Sequence, residues 1–398
     1  MIPALRRSFN ENFTNKKYKA FLHELSNVYP GQLDFRVAET PVFVDQKFKK
    51  KMIDTCEKIV DMVADPQFKE FTKNSIPTDV NVPHENDHAH FIAFDFGVCK
   101  GVKDQYEPQL IEMQGFPSLF AFEALIPEIS RKHFPVPEYL DCYLHGYTKE
   151  TYLRLFREIV VGHHRPENVI LLEIFPEKQK TRVDFFATED YIGIKTVCLT
   201  RLIKEGKKLF YLSGRNKIEI KRIYNRLIFD DLRQQPPEVQ AKGRILLDEL
   251  EVEWVPHPNW FYRISKYTLP LIRHRYVPET LFLNQVSQLP SDLENYVLKP
   301  LFSFAGQGVV IDLRREDVER VTDPQNWILQ RKVEYADVIE TPDIPAKAEI
   351  RIFYFWKDGE KRPVPTNNLS RLSKGKMIGV RYNKDREWVG GSFCWFEK

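Results

Sequence analysis

Residues 297–311 read VLKPLFSFAGQGVVI, and the fold turns on that stretch. The apolar run ENYVLKPL reads as a strand that delivers Lys299. A turn with Gly306 and Gly308 follows, and GVVIDL reads as the returning strand. Glycine accepts positive φ and has no side chain to hold a ligand off, so backbone amides in such a loop can approach a polyphosphate closely. A lysine at the strand end adds a point charge for the phosphates. No Gly-Lys-Ser/Thr follows, so this is not a Walker loop. Taken alone, the pattern is more often that of an ordinary hairpin.

Working outward, two more stretches offer polar groups at strand spacing. FIAFDFGV (91–98) and QLIEMQ (109–114) alternate as neighbouring, antiparallel strands joined by the polar loop KGVKDQYEP. Asp95 faces away from Phe94 and Phe96, and Glu112 and Gln114 share one face. Oxygen donors of this kind suit a hard cation such as magnesium, alongside phosphates and water. A half-solvated polar hairpin face gives the same pattern. In AEIRIFYFW, Glu349 and Arg351 share a face while Ile350, Ile352 and Tyr354 point the other way. A guanidinium there suits phosphate or carboxylate. TNNLSRLSKG, with Asn367, Asn368 and Arg371, reads as a loop, either binding or structural.

Composition bounds the rest. The 398 residues make two or three domains the first expectation. At 42% hydrophobic the chain can bury real cores, and 59 Lys plus Arg against 56 Asp plus Glu exclude a protein that coats nucleic acid. No apolar run reaches about 18 residues, so no membrane span is expected. The charged opening MIPALRRSFNENFTNKKYK does not read as a secretory signal. Five scattered cysteines without CxxC spacing argue against a disulfide framework or zinc module, and a cytoplasmic setting is expected.

The element order reads as mixed α+β, then α/β, then α+β. The first 35 residues read as one helix after a basic lead. Residues 48–63 are helical, with Met52, Ile53, Cys56, Ile59, Val60 and Val63 at core spacing. ETYLRLFREIVVG is an amphipathic helix, and NVILLEI is a strand buried on both faces of a parallel sheet. A helix is expected over 238–250 and another in ISKYTLPLIRHRY. PHENDHAHF clusters His84, His88 and His90, read as solvated or substrate-facing rather than as a metal site. His163 and His164 read as a helix-end pair, KFKKK (47–51) as a solvated face, and Cys56, Cys99 and Cys198 as core.

Together these pieces resemble the ATP-grasp superfamily, in its circularly permuted branch that includes glutathionylspermidine-synthase-like ligases. ISKYTLPLIRHRYVPETLFL resembles the Ser-Lys helix and strand entry of that branch, and VLKPLFSFAGQGVVI its lysine strand and glycine loop. WILQRKVEYA is similar to the strand leading into the adenine hinge, and EIRIF and NNLSRLSKG to the Arg strand and Asn/Arg loop. In ordinary members an Asp strand and a Glu-x-Asn strand follow these. Here the matching pieces, FIAFDFGV and LIEMQGFPS, precede them, which marks a permutation, and Gln114 stands where the family has Asn. NVILLEIFPEKQ and IKRIYNRLIFDDL resemble the α/β domain that precedes the grasp fold.

The resemblance implies a division into 1–145, a permuted half with the metal strands; 146–258, the inserted α/β domain; and 259–398, the half with the lysine strand, glycine loop and Arg strand. It implies ATP and Mg2+ as cofactors, with Asp95, Glu112 and Gln114 on the metal. Lys266, Lys299, Ser303, Gly306, Gln307 and Gly308 would hold the phosphates, and Gln330, Lys332 and Val333 the adenine side. Arg351 and Arg371 would be catalytic. The implied activity is an ATP-dependent carboxylate–amine ligase working through an acyl phosphate on a small-molecule or peptide acid, without nucleic-acid or membrane partners. A phosphotransferase without ligation and a non-catalytic nucleotide binder are the alternatives.

Overall fold

Ile92, Phe94, Phe96 and Val98 fall on one side of the strand Phe91–Lys100. Ile350, Ile352 and Tyr354 take the matching side of Ala346–Phe355, as two-residue alternation requires. These strands are the middle of a six-stranded antiparallel sheet in the computed structural model, which describes residues 1–101, 105–302, 306–376, 378 and 383–398. Its order runs Gly390–Ser392, Val364–Ser373, Ala346–Phe355, Phe91–Lys100, Tyr106–Gln114, and Asp337–Ile339 pairs with Ala346–Phe355.

The apolar face packs on the helix Gln46–Val63. Asp45 caps that helix by accepting from the Phe48 amide at 2.8 Å, and Met52, Cys56, Ile59 and Val60 meet the sheet. The other face is divided. At one end Phe91, Ala93, Phe353 and Phe355 pack against Tyr152, Phe156, Ile159 and Val160 of the helix Lys149–Val161. At the other end the same face carries Asp95, Glu349, Arg351 and Arg371. Polar groups on that half cannot be covered by a helix, so a cleft takes the helix's place.

Two further sheets matter here, and the second of them lines the cleft. Glu253–Val255, Arg222–Asn225, Val169–Glu173 and Lys195–Cys198 make a parallel sheet, in which every residue of Val169–Glu173 is buried. Thr280–Phe282, Trp327–Arg331 and Tyr296–Pro300 form a small antiparallel sheet. Val42–Val44 runs parallel to Cys394–Glu397, joining distant parts of the chain. Among the described residues no helix is long and apolar enough to cross a membrane.

Several elements differ from the sequence expectation. The opening is two helices, Pro3–Asn12 and Asn15–Val28, because Thr14 accepts from the Lys17 amide and starts a new one. The expected helix in ISKYTLPLIRHRY is only a 3-10 stretch, Lys266–Leu271, with Pro270 inside it. The helix over 238–250 shortens to Pro237–Gly243 and a 3-10 turn. GVVIDL makes no strand; Val310 alone bridges back to Leu298. TNNLSRLSKG is not a loop: Val364–Ser373 is a ten-residue strand. The buried amides of Asn367 and Asn368 are satisfied by the carbonyls of Glu123 and Cys142.

Candidate functional site

Strand register sets up the charged half-face. Asp95 stands opposite both Arg351 and Glu112, and Glu349 opposite Arg371. Cross-strand neighbours lie close enough for side chains to pair. Arg351 donates from Nε and Nη2 to the two Asp95 oxygens at 2.5 and 2.6 Å, a two-pronged pair. Its third donor, Nη1, reaches Ser118 Oγ at 3.1 Å. Arg371 Nη2 bridges Asp95 at 3.1 Å and Glu349. The Tyr335 hydroxyl donates to the other Glu349 oxygen at 3.1 Å. Burial would raise the Asp95 carboxyl, but Arg351, Arg371 and Lys299 outweigh it and hold it below the usual carboxylate range. Burial pushes Glu349 up despite Arg371.

A bulge meets the third cation. Asp95 pairs with Glu112 but Phe96 pairs with Leu110, so Ile111 is the extra residue of its strand. The Ile111 carbonyl accepts from Lys299 Nζ at 3.2 Å. Lys299 also donates to Gln330 Oε1 at 2.6 Å, and Gln330 in turn donates to Thr280 at 3.2 Å. Lys299 is deeply buried, and that burial pushes its ammonium down to about 8, with Glu112 pulling the other way. Lys266 Nζ lies 3.3 Å from Glu112 Oε1. Gly115 permits that approach. Its amide donates to the Ile264 carbonyl, and a Cβ there would sit 2.6 Å from the Trp260 carbonyl oxygen.

These groups line one cleft of about 600 Å³ between the central sheet and the small antiparallel sheet. Lys266, Lys299, Gly306, Gln330, Lys332, Val333, Glu112, Gln114, Arg351 and Arg371 all face it. Asp95 lies beneath the two arginines and is buried. Gln307 and Gly308 are not among the lining residues; Gly308, at φ +72°, turns the chain back beside Pro300. Ser303 lies outside the described residues. Among the described residues the lining carries nine lysines and arginines against five carboxylates. That excess of positive charge focuses an attraction for anions. Val297, Val309 and Ile311 add an apolar side.

Sequence reasoning passed over Tyr335, Lys347 and Lys376 as site residues. Lys347 was legible, since it precedes Glu349 by two on the same strand; Tyr335 and Lys376 come from segments with no periodic signal. The three histidines of PHENDHAHF do not converge on one ion. His84 pairs with Glu249, His88 stacks on Trp356, and buried His90 meets Asp358 at 3.0 Å.

No family model matches the chain, and no curated protein matches it. Among solved structures it is similar to a glutathione synthetase-like effector from Globodera pallida, in the apo form. The TM-score is 0.58 at 9% identity, over 97% of this chain and 98% of that one. At that identity the likeness is one of fold alone, and over nearly its whole length this chain is folded like that effector.

Proposed function

We propose that the protein is an ATP- and magnesium-dependent carboxylate–amine ligase of circularly permuted ATP-grasp type. The observation that carries the reading is the meeting of Lys299, Lys266, Arg351, Arg371 and Glu112 around one cleft. A triphosphate there would face four cations at the floor, and the apolar Val297 and Val309 would flank an adenine. Fold likeness to a glutathione synthetase-like protein supports the same direction.

Glu112 and Gln114 line the cleft with a carboxylate and an amide, a donor set that fits magnesium with phosphates and water completing the shell. Bound there, the ion would offset charge on the phosphates. Asp95 would join only if Arg351 or Arg371 released one of its oxygens.

The chemistry needs no protein nucleophile. A substrate carboxylate oxygen attacks the γ-phosphorus, the bond to the β-phosphate oxygen breaks, and ADP leaves. An amine then attacks the acyl carbon and expels inorganic phosphate, losing its proton to water. Lys299 and Lys266 bind and orient the phosphates. Arg351 and Arg371 stand where negative charge accumulates on the transferring group and on the acyl-phosphate oxygens. Gly306 lines this end, and a glycine turn drawn over the phosphates would exclude the water that otherwise hydrolyses an acyl phosphate.

A second reading, nucleotide binding without turnover, draws on the engagement of both Asp95 oxygens with guanidinium groups. Screening amino acids, peptides and polyamines for ADP release and amide formation separates the readings. The ligase reading expects ADP release that depends on an acid and an amine together, with the amide found by mass spectrometry. It also expects Glu112→Ala and Lys299→Ala to abolish that release with the fold intact. ADP release indifferent to amine indicates phosphoryl transfer alone. Thermal stabilisation by ATP with no turnover indicates a binder.

A further inference from the structure

The helix Lys149–Val161 ends at Gly162, whose φ of +60° turns the chain sharply. That turn delivers His163 and His164 side by side, with ring centroids 4.0 Å apart. Both face Glu253, at the start of the parallel sheet's edge strand Glu253–Val255. His164 Nε2 lies 3.1 Å and His163 Nε2 3.8 Å from Glu253 Oε1. His164 Nε2 is buried, with Glu253 Oε1 as its near neighbour. Two imidazole nitrogens gathered at one carboxylate oxygen are a donor set that can share a cation.

The carboxylate is also held. Arg222 donates from Nη1 to Glu253 Oε2, from Nε to the Val160 carbonyl at 3.1 Å, and from Nη2 to Ile159 at 2.9 Å and Asp358 at 2.9 Å. One Glu253 oxygen is thus fixed by a buried guanidinium while the other is left toward the imidazoles. Metal-ligating carboxylates are oriented in this manner by partners behind them. Gly162 is part of the device: a Cβ there would meet the Arg222 guanidinium at 3.3 Å.

We propose that His163, His164 and Glu253 form a binding site for a divalent first-row transition metal of the zinc type. Bonds of about 2.05 Å place ligand atoms about 3.3 Å apart in a tetrahedral shell. The observed 3.1 and 3.8 Å bracket that spacing, and all three ligand atoms lie within 4.8 Å of one another. Two imidazoles and one carboxylate favour zinc, cobalt, nickel or copper over magnesium, and leave a fourth position for water. None of the three residues is among those lining the nucleotide cleft, so the site is separate from any magnesium there. Its effect is to tie the end of the helix to the edge of the parallel sheet.

The test uses the untagged full chain after chelation. Calorimetric titration with Zn2+ is expected to give one site per chain, weakened at least ~10-fold by His163→Ala and by His164→Ala. His163 is 76% exposed, so its substitution leaves the fold out of question. Co2+ is expected to give the strong visible absorption of a low-coordinate site in the parent and not in the variants. Zn2+ isotherms unchanged in both variants, or no Co2+ band in the parent, would overturn the proposal.

Discussion

At the residue scale, two buried charges define the cleft's chemistry. Lys299 is held near a pKa of about 8 because burial outweighs the carboxylates around it. The unfolded chain holds that proton up to about 10.4. Between those values it carries more protons than the folded protein, so this group's contribution to stability rises as pH climbs from about 8 to about 10. A triphosphate beside Lys299 favours the charged form, so nucleotide binding at pH 8.5 is expected to take up protons. Calorimetry in two buffers of different ionisation enthalpy reads that uptake, and Lys299→Met is expected to remove it. Asp95 is the opposite case, a carboxylate kept charged by two guanidinium groups. Asp95→Ala would leave Arg371 paired with Glu349 and Arg351 bonded to the neutral Ser118 hydroxyl, and such a loss costs about 3–5 kcal/mol. Urea unfolding measures it; a change under ~1 kcal/mol would mean that solvent, not Asp95, balances the arginines.

At the element scale, the strands that carry the charges were legible in the sequence, and the segments between them were less so. FIAFDFGV and AEIRIFYFW alternate cleanly because one face packs on the helix Gln46–Val63 and the other meets the cleft at one end and the helix Lys149–Val161 at the other, whereas the bulge at Ile111 interrupts LIEMQ. TNNLSRLSKG misleads because its asparagines are buried as strand residues through non-local partners, the carbonyls of Glu123 and Cys142 and the Cys394 backbone. No local pattern announces such partners. GVVIDL reads as a strand, yet Val309, Ile311 and Asp312 line the cleft and no ladder forms beyond the Val310 bridge. Gly115 was visible only as the residue after Gln114; its role follows from the Trp260 carbonyl that a Cβ would strike. Gly115→Ala is therefore expected to push the Ser265–Lys266 turn away from Glu112. Nucleotide affinity is expected to fall about tenfold with the melting temperature lowered by only a few degrees. Unchanged affinity would show that the Lys266–Glu112 contact is incidental.

At the scale of the whole molecule, the central sheet interleaves strands from opposite parts of the chain: Phe91–Lys100 pairs directly with Ala346–Phe355. Neither segment can complete the apolar face against Met52 and Ile59 alone. Phe94→Ala and Ile352→Ala are therefore expected to lower one shared unfolding transition, by about 3–5 and 2–5 kcal/mol. Separate transitions would mean that the two parts fold independently. The same interleaving brings Glu112 and Lys299, 187 positions apart, to one cleft. A crystal structure with a non-hydrolysable ATP analogue and Mg2+ tests this claim most directly. The expected result is a triphosphate contacting Lys299 and Arg351, with Glu112 and Gln114 on the metal beside it. Nucleotide bound elsewhere, or a cleft left empty at saturating analogue, would contradict it.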